Sequence, residues 1–409
     1  MVLLVSITAK PKLLGASDPP LNKGMSDSLY CAAPWRGLHI NFRGDVKTCC
    51  AGDPNMLGNL NQQTIEQVLQ GPKMQEIRQT IKNGELHPEY CSNCAHAERY
   101  NSDNRSERHW HNDVNPDFNI AKATLTEHVP SIIDVRWNTT CNLSCNYCGP
   151  FCSSKWAAMM KFDYKSGARP YYEQVCEYIE QHRDSVKEVA LVGGEPLLLP
   201  ENERLLDVIP EDCIVTLITN MNVDFERNAI VKKLQKRRRV GWSMSFDNID
   251  KRFEYVRSGG QWDLMDRNVR QVQEWIKNSE HWGGIHAVYN LYNCTHLDEL
   301  RDYADSVGTS IVWQTLHQPD YLDPTMHSPE VRVLAQQHLV QYQQHHTLTP
   351  IEKSFFSEVF NRFNNIKPDW PMISVKFREH IHLIETKYHT HDLGVFERLW
   401  PELAKLIKK

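Results

Sequence analysis

No stretch of this 409-residue chain approaches the roughly 18 consecutive apolar residues of a membrane span, and Met1 to Leu4 is too short for one. No charged segment leads into a long apolar core and a small-residue cleavage site, so a soluble, cytoplasmic protein is expected. A basic excess is missing as well. The formal net charge is −5 and the isoelectric point is near 6.4, which leaves no electrostatic footprint for nucleic acid. The one basic run, Lys232 to Arg239, closes an amphipathic helical stretch where cations favour the C-terminal dipole end, and it reads as a solvated face. There is no internal repeat at a solenoid period and no low-complexity tract. The length leaves room for two or three domains.

Cysteine is what the chain does have, twelve in all. In a reducing compartment thiols stay free, so their spacing speaks for metal rather than disulfides. Cys141, Cys145 and Cys148 stand at C-x3-C-x2-C spacing directly after the apolar, strand-like run Ile132 to Trp137. Three thiolates from one loop can hold three irons of a cubane iron-sulfur cluster and leave the fourth open to a cofactor. Structural zinc prefers a closed set of four, commonly two C-x2-C knuckles, so the triplet favours a cluster. Cys152, Cys176, Cys213 and Cys294 have no partner spacing and read as ordinary buried cysteines.

From residue 131 to 320, β-rich runs alternate with helical patterns, the sequence form of a parallel sheet wound by βα units. Six strands are expected: Ile132 to Asn138, Val186 to Val192, Ile214 to Thr219, Val240 to Phe246, Gly284 to Asn290 and Ser310 to Thr315. Tyr171 to His182, Phe225 to Leu234, Leu264 to Trp275 and Leu297 to Ala304 carry apolar residues at helical spacing between them. Function in such a fold sits on the loops after the strand C-termini, and the cysteine triplet follows the first strand.

A separate module is expected at 28–100, after a tail at 1–27. Leu38, Ile40 and Phe42 alternate into Arg43-Gly44-Asp45, a hairpin turn that needs no adhesion reading. Thr64 caps a helix bearing Ile65, Val68 and Leu69, Gly71-Pro72 breaks it, and Met74, Ile77 and Ile81 form a second that ends near Gly84. Cys31 and Cys49 bracket the hairpin, and Cys91-x2-Cys94 follows the helices. Residues 101–130 are polar and read as a linker or lid; His109-Trp110-His111 within them lacks a convincing third metal ligand. The region 321–409 is expected to be helical, with Ser328-Pro329-Glu330 opening one helix and Phe355 to Phe363 and Phe396 to Ile407 following. His380, His382, His389 and His391 there read as surface or packing residues.

The triplet, with Tyr147 just before its last cysteine, resembles the signature of the radical SAM superfamily, and the resemblance extends further. Val192-Gly193-Gly194-Glu195-Pro196 resembles the family's GGEP motif, whose backbone carbonyls meet the ammonium of S-adenosylmethionine. Ser245-Phe246-Asp247 and Arg257 match a pattern in which a serine and an arginine hold its carboxylate, a task that suits a guanidinium fork. By the same resemblance Tyr147 offers backbone contacts to adenine, while Asn220 and Asn290 follow strands and are candidates for ribose or substrate. The implied fold is α/β, a partial (β/α)6 TIM-type radical SAM barrel with a small N-terminal α+β cluster domain and a C-terminal helical extension.

Cys31, Cys49, Cys91 and Cys94, with Leu57-Gly58-Asn59-Leu60 between them, resemble the twitch domain, the shortened form of the SPASM auxiliary-cluster domain. Four thiolates would close every iron of a second 4Fe-4S cluster, with a zinc knuckle as the alternative, and Cys50 could replace its neighbour Cys49. In the family the auxiliary domain follows the barrel, whereas here it precedes it. The resemblance implies an enzyme that cleaves S-adenosylmethionine reductively to a 5'-deoxyadenosyl radical, fed by a reducing partner such as flavodoxin or ferredoxin. Oxidative modification of a peptide or small-molecule substrate is expected, with redox-neutral epimerisation or rearrangement as the alternative. A non-catalytic iron-sulfur carrier or redox sensor would need the clusters but not the motif at Gly193 to Pro196 or Arg257.

Overall fold

The computed structural model describes residues 30–52, 57–100, 106–162, 171–316, 318–388 and 392–407, so His389 and His391 lie outside the described residues. At its N-terminal end β1 (Gly37–Ile40) and β2 (Asp45–Lys47) form an antiparallel hairpin, and β3 (Gly58–Asn59) pairs with β2. Gly44 turns the hairpin at φ +85°, where a side chain would also strike Asn61 and Tyr171. Then come β4 (Ile132–Val135), the short β5 (Ser144–Cys145), β6 (Glu188–Leu191), β7 (Ile214–Thr219), β8 (Val240–Ser245), the short β9 (Arg257–Ser258), β10 (Trp282–Tyr289) and β11 (Ser310–Thr315). The strands β4, β6, β7, β8, β10 and β11 lie in chain order, all parallel, at the six places expected.

Amphipathic helices make the crossovers, among them Tyr171–Gln181, Ala229–Gln235 capped by Asn228, and Leu297–Val307, which ends at left-handed Gly308. Along β7 the half-buried Thr216 and Ile218 alternate with fully buried Val215 and Leu217. The first pair lines a lumen, and the second belongs to the apolar core.

The N-terminal module is not separate. β1 pairs in parallel with β4, His39 opposite Asp134 and Ile40 opposite Val135, so one nine-stranded sheet runs β11-β10-β8-β7-β6-β4-β1-β2-β3. The helical signals within the module hold. Thr64 and Gln67 form a capping box, Pro72 opens the helix Pro72–Lys82, and Gly84 stands at φ +84° just beyond it. Arg78 is fully buried in that helix and satisfied by carbonyls, donating twice to Pro34 and once each to Leu69 and Leu125.

The polar stretch after the module is no simple linker. It carries the helix Glu107–Val114, and its polar groups are spent on the module: Arg108 donates to the Tyr30 carbonyl at 3.2 Å, Asn112 accepts from the Ala32 amide at 2.8 Å, and Thr124 accepts from the Trp35 indole at 2.7 Å. His109 caps that helix with Ser106, and His111 is buried. At the other end, Ser328 caps Pro329–His345, the Phe355 run lies in Pro350–Asn365, and Pro401 splits the last expected helix into Val395–Leu399 and Pro401–Ile407. A 19-residue helix, Trp370–Tyr388, also lies in the region expected to be helical. There His380 packs on Tyr321 and His382 is exposed. No described helix is long and apolar enough to cross a membrane.

Candidate iron-sulfur and cofactor site

The triplet loop leaves the C-terminal end of β4 and is held by bonds that spare the sulfurs. The Trp156 indole donates to the Cys145 carbonyl at 2.8 Å, Ser153 Oγ to the Leu143 carbonyl at 2.9 Å, and Asn146 Nδ2 to the Tyr255 carbonyl at 3.0 Å. Burial and then the neighbouring Cys145 push the Cys141 thiol up to about 12. Thiolates crowded this way need cationic metal to form, so the donor set fits an iron-sulfur cluster on Cys141, Cys145 and Cys148.

Arg257 stands directly across from Cys145, because β9 pairs antiparallel with β5 in that register. Its guanidinium is buried, 3.1 Å from Asp247 Oδ2, 3.9 Å from Cys145 Sγ and above the Tyr147 ring. Asp247 is the hub of this corner. It accepts from Tyr147 Oη at 2.5 Å and from the Val288 amide at 2.7 Å, and it was quoted in the sequence motif without a role. Ser245 lies half-buried at the end of β8, opposite His286, and Asp247 rather than Ser245 is the partner of Arg257.

The GGEP turn rests on the approach to the triplet. A Cβ on Gly194 would lie 2.2 Å from the Thr140 carbonyl, Gly193 sits at φ +140° above Asn138, and the Glu195 amide donates to Thr140 at 2.8 Å. Pro196 follows at the start of a short 3-10 turn. The Glu195 carboxylate is fully buried and turned inward, accepting from Thr219 Oγ1, the Leu197 amide and the Asn220 amide. Asn220 in turn points its amide at Cys141 Sγ, 3.8 Å away, and at Asn142. Asn290 is different. It is fully buried, and its side chain is spent on the Val288 carbonyl and the Tyr292 amide, so it closes a turn rather than reaching the mouth of the barrel.

Burial raises the Glu195 carboxyl to about 7 against the three donors that favour its charge. A raised carboxyl favours the folded state while protonated, a contribution complete below the unfolded value near 4.5 and lost as pH rises through 7. The loss amounts to about 3 kcal/mol. Denaturant unfolding at pH 5 and pH 8 should therefore show a steeper fall for the wild type than for Glu195→Gln, and equal falls would remove Glu195 from this role.

Cys31, Cys49, Cys91 and Cys94 line one small cavity of about 360 Å³ at the other end of the sheet, because Cys31 precedes β1 and Cys49 follows its antiparallel partner. Cys50 lines the barrel lumen instead, which favours Cys49 as the ligand. Burial and mutual repulsion raise Cys31 and Cys49, and burial with Cys94 takes Cys91 up to about 12, so this cavity too calls for cationic metal. Among the described residues no three such side chains gather closely enough for a single ion. Cys176, Cys213 and Cys294 are buried, whereas Cys152 is exposed, because the turn from Gly149 carries it to the surface.

Along the barrel interior runs a lumen of about 1070 Å³, open to solvent and reaching Arg136 and Val192 at the strand ends. It shares Thr48, Cys49 and His111 with the four-cysteine cavity. On its wall, His39 Nδ1 lies 3.1 Å and Arg136 Nε 3.5 Å from Asp134. Burial lowers the His39 imidazole to about 4, leaving it neutral, while against burial His39 and Arg136 hold the Asp134 carboxyl below the usual carboxylate range.

The family model of the Radical SAM superfamily matches residues 135–291, and that of the SPASM iron-sulfur cluster-binding domain matches residues 31–95. Among solved structures, Streptococcus suis SuiB is 18% identical with a TM-score of 0.39, over 53% of this chain and 48% of that one. SuiB bound to precursor peptide SuiA is 17% identical, TM-score 0.38, over 53% and 47%. Native anSMEcpe with bound AdoMet is 17% identical, TM-score 0.38, over 54% and 63%. The match thus spans about half the length of the SuiB chain. No curated protein matches the sequence. The chain thus carries a radical SAM domain at residues 135–291, with a SPASM iron-sulfur cluster-binding domain ahead of it at residues 31–95.

Proposed function

We propose that this protein oxidatively modifies a peptide or small metabolite held in the barrel lumen. The observation that carries the reading is a lumen that reaches Arg136 and Val192, where the chain leaves the strands toward the triplet loop and the GGEP turn, and that shares Thr48, Cys49 and His111 with the four-cysteine cavity. When bound, the catalytic cluster with S-adenosylmethionine supplies hydrogen-atom abstraction, and the auxiliary cluster supplies a one-electron acceptor. The chain's own residues divide the work. Arg257, Tyr147 and the GGEP turn surround the cofactor's end, with the Arg257 fork offering paired donors to its carboxylate. His39, Asp134 and Arg136 offer both donors and acceptors to a polar substrate at mid-lumen.

Four thiols committed to one cluster leave no iron open for a substrate atom, which favours electron acceptance over substrate binding at that end. The test is stoichiometry with the true substrate, read by mass spectrometry. One 5'-deoxyadenosine for each product two hydrogens lighter is the expected result. A product of unchanged mass and oxidation state would instead establish epimerisation or rearrangement.

A further inference from the structure

A fourth cysteine, Cys152, stands four residues beyond the last cysteine of the triplet, and the fold brings it back to the loop it has just left. Gly149-Pro150 opens a tight turn in which the Gly149 carbonyl accepts from the Cys152 amide at 3.0 Å and from the Ser153 amide at 3.1 Å. Ser153 Oγ then ties the returning chain to the Leu143 carbonyl at 2.9 Å, inside the triplet loop itself. Held this way, the Cys152 side chain is hydrogen-bonded to that of Cys148.

The other two sulfurs of the loop are turned elsewhere. Cys141 Sγ accepts from the Leu143 amide at 3.5 Å and faces the Asn220 amide, and Cys145 Sγ is buried with Arg257 3.9 Å away. Cys152 differs from all three in being exposed, whereas Cys148 is half-buried. Its neighbour Phe151 is 47% exposed and packs edge-on against Phe162 at 4.8 Å, which keeps the turn at the surface. A solvent-accessible thiol in contact with a second thiol is the arrangement of an oxidant-sensing cysteine and its resolving partner.

We propose that Cys148 and Cys152 form a reversible oxidation site: when the triplet holds no cluster, hydrogen peroxide converts the pair to a disulfide, which withdraws Cys148 from the ligand set until a thiol reductant restores it. Peroxide oxidises the exposed Cys152 sulfur to a sulfenic acid, and one water leaves. The Cys148 thiol attacks that sulfur, the S–S bond forms and a second water leaves. One peroxide and two thiols thus give one disulfide and two waters, the sulfurs losing the two electrons that the peroxide gains. Sulfurs already in contact are a side-chain rotation away from the bond length of about 2 Å. With iron on Cys148 that sulfur is committed and the bond cannot close, so the pair responds only to an empty site. An unpartnered Cys148 would pass on to sulfinic acid, which thiols do not reduce, whereas the disulfide stops at a reducible stage and keeps the triplet reloadable. The proposal rests on the triplet as the cluster's ligand set and is independent of the substrate's fate.

The test strips the full-length, cluster-loaded chain of iron anaerobically with a chelator, treats it with hydrogen peroxide, alkylates the remaining thiols and maps the cysteines by fragmentation mass spectrometry. In the wild type the peptide should be two hydrogens lighter, with Cys148 joined to Cys152 and with Cys141 and Cys145 alkylated. Dithiothreitol followed by iron and sulfide should then restore about eight irons per chain. Cys152→Ser should load iron and cleave S-adenosylmethionine as the wild type does before oxidation. After peroxide it should carry Cys148 as sulfinic or sulfonic acid and regain about half the iron of the wild type, that of the auxiliary cluster. A bond from Cys148 to Cys141 or Cys145, or a Cys152→Ser variant that keeps Cys148 reducible and reloads as fully as the wild type, overturns the proposal. The linkage is read without S-adenosylmethionine, so a wild type that forms it but cleaves no cofactor counts against the radical reading alone.

Discussion

Replacing Cys141, Cys145 and Cys148 together by alanine should abolish reductive formation of 5'-deoxyadenosine while the auxiliary cluster stays spectroscopically present. The loss is complete because one thiol cannot replace three. Cys152, whose side chain is hydrogen-bonded to that of Cys148, would remain as a single ligand. The fold should survive, since Trp156, Ser153 and Asn146 brace the loop through carbonyls and side chains that the substitutions leave in place. Iron should fall from about eight to about four per chain. Cleavage at the wild-type rate in the triple variant would end the radical SAM reading, and loss of all iron would place the two clusters in one interdependent unit.

Much of this was legible because it is local. The caps at Thr64 and Ser328, the Gly44 turn and the β-rich runs each depend on neighbours a few residues away, where side-chain chemistry decides the backbone. The cysteine spacing is legible for the same reason. What could not be read was partner choice. Nothing in Gly37–Ile40 says that it will pair with Ile132–Val135, ninety-odd residues away, and that pairing is what sets His39 beside Asp134 and carries the hairpin tip to the triplet's end.

Polarity misled in the same manner. Residues 106–130 look like a solvated linker, but their donors and acceptors serve Tyr30, Ala32 and Trp35, so a polar sequence became a strap tied to the module. Asn290 looked like a ligand contact and is a turn brace, because an asparagine after a strand answers equally to its own backbone. Asp247 was the reverse, a site residue overlooked because a lone acid at a strand end carries no pattern; only the β5 and β9 pairing brings Arg257 and Tyr147 to it.

That corner makes Arg257 the most consequential single residue after the triplet. Arg257→Ala would leave Asp247 buried with only Tyr147 and the Val288 amide, and removing one partner of a buried ion pair costs about 3 to 5 kcal/mol. The unfolding midpoint should therefore drop. Binding of S-adenosylmethionine should weaken separately, by about tenfold or more, since a charge-assisted contact contributes about 1.5 to 3 kcal/mol. Arg257→Lys divides the two effects. A lysine keeps a positive charge near Asp247 and should recover most of the stability, but it has no planar fork for a carboxylate and should not recover the affinity. Titration of the cluster-loaded variants beside denaturant unfolding reads both quantities. If Arg257→Ala binds S-adenosylmethionine as tightly as the wild type, Arg257 serves the Asp247 and Tyr147 corner alone, and the carboxylate of the cofactor must be held by another group at this end of the barrel.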